Sequence, residues 1–110
     1  MDRVFSQGTN RTYDDFKKQI PVLVFPTFDS LRQYCMSLGG NVVEDVRAHR
    51  MVFGKSLSFR WFADLEPENN SIIVKIQRDR KEPFKTITIT NETNLDDLKG
   101  MILDAYNTIR

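Results

Sequence analysis

Between residues 55 and 109, three short runs of alternating apolar side chains, each closed by turn-forming residues, lead into one amphipathic helix. Period-two alternation is the mark of strands with one dry face, and consecutive strands joined by short turns pair antiparallel, so this order predicts a β-meander closed by a C-terminal helix. In the first run Leu57, Phe59, Trp61, Ala63 and Leu65 share one side, and Ser56, Ser58, Arg60 and Asp64 the other. Phe62 is out of phase, an aromatic on the polar side. Glu66-Pro67-Glu68-Asn69-Asn70 reads as a turn. Ile72, Val74 and Ile76 define the inward side of the second run, and the β-branched stretch Thr86-Ile87-Thr88-Ile89-Thr90 favours a third strand. Asn94 is a good N-cap with Asp97 in the first turn beyond it, and Leu95, Leu98, Ile102, Ala105 and Ile109 trace one helical face. The predicted fold class is α+β, an antiparallel meander sheet with helices on one face. Its expected core packs Leu57, Phe59, Trp61, Ile72, Val74 and Ile76 against Leu31, Leu38, Leu98, Ile102 and Ile109.

The preceding half adds helices and one ambiguous stretch. Residues 1–11 are polar and aperiodic and read as a flexible tail, leaving 12–110 as a single domain, which suits a chain of 110 residues. Thr12 with Asp15 forms a short capping box, and Tyr13, Phe16 and Ile20 share a face until Pro21 ends the segment. Residues 22–25 are apolar and run into Pro26, which predicts an extended connector. Thr27 or Asp29 then caps a helix on which Phe28, Leu31, Tyr34, Cys35 and Leu38 line one side, stopped by Gly39-Gly40. From 41 to 53 the apolar parity slips, as a bulged strand or a bent hairpin would make it slip.

Several function classes lack the residues they need. One cysteine forms no internal disulfide, and no apolar leader segment precedes the domain, so a reducing cytoplasm is the expected location. The longest apolar run is far below the roughly 20 residues that cross a bilayer, so no membrane partner is expected. His49, between Ala48 and Arg50 on an expected strand, has no second histidine or matched carboxylate in its segment. Cys35 sits among leucines and reads as a small core hydrophobe. The pairs Asp96-Asp97 and Glu44-Asp45 are adjacent residues that diverge in direction. No cofactor or metal is expected, and the chain reads as a non-enzymatic binding module.

A net charge of +1 leaves only local clusters to consider. Arg47 to Arg50 form one, and Lys75, Arg78, Arg80, Lys81 and Lys85 the denser one. Exposed lysines and arginines routinely serve only to keep strand edges soluble. Arg60 and Phe62, however, share the non-core side of the central strand, a cation beside an aromatic on which single-stranded DNA or RNA could stack. The predicted nucleic-acid surface is therefore Arg60, Phe62, Lys75, Arg78, Arg80, Lys81 and Lys85. The alternative is a protein-interaction or inhibitor module of the kind phages and mobile elements encode, with Val22, Val24 and Phe25 as the contact or homodimer surface.

Residues 31–109 also carry a resemblance. The string Leu31-Arg-Gln-Tyr-Cys-Met-Ser-Leu38-Gly39, the Met51-Val-Phe-Gly-Lys55 to Phe59 turn, and the threonine-rich strand before Leu95-Asp-Asp-Leu98 and Ala105-Tyr106 resemble the MmcQ/YjbR-like proteins and a related bacterial domain found in some proteins beside nuclease-type domains. The resemblance implies a compact α+β fold with helices on one side of an antiparallel sheet, and a nucleic-acid-binding role.

Overall fold

The computed structural model describes residues 11–58 and 60–109. Five strands, β1 (Val42–Val46), β2 (Met51–Lys55), β3 (Trp61–Glu68), β4 (Ser71–Ile76) and β5 (Lys85–Ile89), pair antiparallel in sequence order. The slipping parity of 41–53 resolves as the β1–β2 hairpin. Its turn, closed by a bond from the Arg47 amide to the Arg50 carbonyl at 2.9 Å, resets the alternation so that Val42 and Val46 face the same side as Met51 and Phe53. His49 therefore sits exposed in this turn, and its expected place on a strand is corrected. At the β3–β4 turn Asn69 adopts a left-handed φ of 56°, a conformation that asparagine tolerates better than most residues and that tight hairpins require.

Helix α1 (Tyr13–Phe16) starts as the sequence predicts, with the Thr12 side chain accepting a bond from the Asp15 amide at 3.2 Å. Residues 22–25 depart from expectation. Val22–Val24 form a 3-10 turn that runs directly into α2 (Phe25–Ser37), so the extended connector is absent and the helix begins ahead of Thr27 and Asp29. Proline causes the shift: Pro26 at the first helical turn has no amide to waste and a preset φ. Helix α3 (Asp96–Thr108) begins beside Asn94, whose side chain accepts from the Asp96 amide at 2.8 Å.

Both long helices lie on one face of the sheet. Phe28, Leu31 and Cys35 of α2 and Leu98, Ile102 and Ala105 of α3 pack on Met51, Phe53, Ala63, Leu65, Ile72, Val74 and Ile89. At the margin of this layer Arg32 reaches from α2 to Glu44 of β1, with one nitrogen at 3.1 Å from Oε1, and stacks 4.1 Å from the Tyr13 ring. Tyr13 in turn donates to Asp29 at 2.8 Å, and burial, reinforced by that bond, raises its pKa. This network ties α1 and α2 to the edge of the sheet.

Two expected core positions move. Leu57 is fully exposed in the β2–β3 turn, because β3 starts only at Trp61. Trp61 is half-buried on the opposite face of the sheet, and Phe62, fully buried, takes the core place with its ring edge-on to Tyr106 at 5.5 Å. The expectation for Phe59 lies outside the described residues, as does nearly all of that for the 1–11 tail.

Candidate functional site

The exchange of Trp61 and Phe62 has a local cause. Phe53 of β2 faces Ala63 and the next residue, Gly54, faces Trp61, so Phe62 is an inserted residue, a β-bulge. It keeps its own side chain inward and turns everything before it by one parity. Gly54 permits this, since a Cβ there would stand 2.8 Å from the Arg60 carbonyl oxygen and 3.2 Å from the Trp61 Cα. The bulge thus delivers a tryptophan to the face that, among the described residues, no helix covers.

That open face has a definite pattern. Asp45, Val52, Asp64, Lys75 and Thr86 form one row across all the strands, since each is the register partner of the next. Beside this row Trp61 meets Phe84, the residue just before β5, with ring centroids 5.9 Å apart and planes inclined at 58°. The Lys75 ammonium lies 5.5 Å from the Phe84 ring centroid. Phe84 owes its position to the 77–83 loop, which the buried Gln77 staples by donating to the carbonyls of Asp79 and Glu82. Arg47, Arg50, Val52, Trp61, Asp64, Lys75 and Phe84 together line a recess of about 170 Å³. On its other side Trp61 also borders a second recess with Arg60, Gln77, Arg80 and Ile109.

Within the first recess Asp64 is only 6% exposed. Its Oδ2 lies 3.3 Å from Arg50 Nε, yet neither Oδ1 nor Arg50 Nε makes a hydrogen bond. A buried polar atom without a partner costs about 1–3 kcal/mol. Burial pushes the Asp64 carboxyl above its ordinary pKa, against the pull of Arg50 and Lys75. Arg47, by contrast, is held by Asp45 at 3.0 Å.

The sequence-predicted site residues divide among several places. Phe62 lies in the core, so its placement on an exposed face is corrected, and Trp61 and Phe84 hold the position expected of it. Lys75 is on the open face, while Arg60 and Arg80 border the second recess. Arg78 is engaged by Asp104 at 2.5 Å and Glu82 at 3.1 Å. Lys81 is exposed in the loop, and Lys85 is exposed on edge strand β5 opposite Ile76. Among the described residues Arg60, Lys75 and Arg80 make no ion pair. Of the apolar set, Val22 is 90% exposed and Phe25 half-buried, but Val24 is fully buried and is corrected as a contact residue. Sequence reading missed Trp61 and Phe84 as open-face groups, while Asp64 lies on the non-core side where the alternation puts it. The out-of-phase Phe62 beside a glycine-bearing partner strand is the signal that finds them.

Among the described residues no group of three or more His, Cys, Asp and Glu side chains is placed to hold a metal ion, and no helix is long and apolar enough to cross a membrane. No family model, curated protein or solved structure matches the chain.

Proposed function

We propose that this chain is a binding module for single-stranded nucleic acid, working through the open face of its sheet. The observation that carries the reading is the Trp61–Phe84 pair on the sheet face opposite the helices, with cations in the recesses on both sides of Trp61. Bases stack on such aromatic platforms with about 1–3 kcal/mol each, whatever their identity. Lys75, Arg60 and Arg80, which make no ion pair among the described residues, are available to phosphates on either side of the stacked base. The resemblance of residues 31–109 to MmcQ/YjbR-like proteins points the same way, as an analogy of fold. The test is anisotropy of short labelled single strands at about 50 and about 200 mM salt, with Trp61→Ala and Lys75→Ala beside the wild type. Both variants should bind more weakly, and Lys75→Ala should also flatten the salt dependence by about one unit. A wild type that binds no strand at about 50 mM salt would sink the reading.

A second reading rests on Val22, 90% exposed, next to Leu23, 50% exposed. Two adjacent apolar side chains in solvent favour a protein contact or a homodimer. Val22→Asp is the suitable probe, since Val24 is buried: sedimentation should show self-association lost while the circular dichroism persists.

A further inference from the structure

Resting on the nucleic-acid reading, we infer that Asp64 and Arg50 form a base-reading pair at the floor of the open-face recess, and that the base they select is guanine. Three observations converge there. The carboxylate is almost wholly buried but keeps Oδ1 without a hydrogen bond. Arg50 Nε, 3.3 Å from Oδ2, is a donor equally without an acceptor. The recess around them, about 170 Å³, exceeds the roughly 150 Å³ of a cavity that admits a benzene ring, and Trp61 and Phe84 wall it.

An unmet donor beside an unmet acceptor asks for a ligand edge with the reverse order, an acceptor followed by donors. Bases of single strands are read on their Watson–Crick edges, and the four edges differ in this respect. Guanine presents the O6 acceptor, then the N1 and N2 donors, so O6 meets the arginine while the N–H groups meet the carboxylate. Uracil and thymine place a second carbonyl where the carboxylate lies, and cytosine, whichever way it is turned, has a single donor on this edge. Adenine, turned so that N1 accepts from the arginine, brings one amino hydrogen to the carboxylate, where guanine brings two adjacent donors. Both reading groups are charged, which strengthens the matched bonds and sharpens rejection of the unmatched ones. Lys75, across the strand from Asp64, stays available for the adjoining phosphate.

The experiment follows quenching of Trp61, which as the chain's one tryptophan reports this face alone. Short oligopyrimidines carrying a single central guanine, adenine or uracil are titrated, in DNA and RNA versions, into the wild type, Asp64→Asn and Arg50→Lys. The wild type should bind the guanine strand about tenfold more tightly than the adenine strand. Asp64→Asn and Arg50→Lys should bind both strands with nearly equal affinity. Quenching with no preference for guanine in the wild type, or a preference that survives Asp64→Asn, overturns the guanine assignment and leaves stacking intact. Absence of quenching by any strand overturns the assignment together with the reading it rests on.

Discussion

Asp64 and Cys35 are both buried ionisable groups, yet only Asp64 opens onto a recess. Because burial raises the Asp64 pKa, the sign of its effect on stability follows by linkage. A carboxyl whose folded pKa lies above the unfolded value, about 3.9, favours folding fully only below that value, and the contribution is lost as pH rises through the folded pKa. Asp64→Asn, which keeps the shape and removes the charge, should therefore raise the urea midpoint near neutral pH. The gain should fade below about pH 3.9, where the wild-type side chain is itself neutral in both states. A variant less stable than the wild type near neutral pH would show that the Arg50 contact outweighs desolvation. Cys35 has no such exit. Fully buried on α2, its thiol is pushed up to about 12 by desolvation, so almost no thiolate exists at neutral pH. Its labelling by thiol reagents should be slow in the native protein and rapid in denaturant, and fast native labelling would remove it from the core.

At the scale of elements the bulge in β3 governs which aromatic is structural and which is available. Phe62 is fully buried against Tyr106, so Phe62→Ala should cost about 3–5 kcal/mol, while Trp61→Ala, on the open face, should cost much less. Chemical denaturation of the two variants checks the order, and a larger loss at Trp61 would contradict the register. Gly54→Ala should destabilise by about 1–3 kcal/mol, because the intruding Cβ meets β3 backbone rather than a yielding side chain. Such devices explain how far the sequence was legible. The helix α3 and the strand β4 follow strict periods, and their buried residues Leu98, Ile102, Ile72, Val74 and Ile76 fall where the periods put them. Trp61 does not, since alternation counts residues and a bulge adds one without changing composition. The same limit applies to 22–25, where an apolar tetrapeptide before proline fits an extended connector locally, and docking of the buried Val24 makes it helical.

The described residues form a two-layer structure with the long helices on one side, and antiparallel sheets commonly leave the other side to solvent. Half of the candidate site was legible at this scale. Charge is a property of sequence, so Arg60, Lys75 and Arg80 were visible as cations before any fold was known. Their grouping about Trp61 was not, because it depends on the bulge and on the Gln77-stapled loop that brings Phe84 to the sheet. The proposed binding mode places a single strand of nucleic acid on the face opposite the helices, and not on the helical one. Amide and indole chemical shifts measured during titration with a short single strand at about 50 mM salt test it most directly. The Trp61 indole and the amides of Asp64, Lys75, Phe84 and Thr86 should shift together, while those of α2 stay in place. Shifts concentrated on α2 and the 22–25 segment, with the Trp61 indole unmoved, would contradict it.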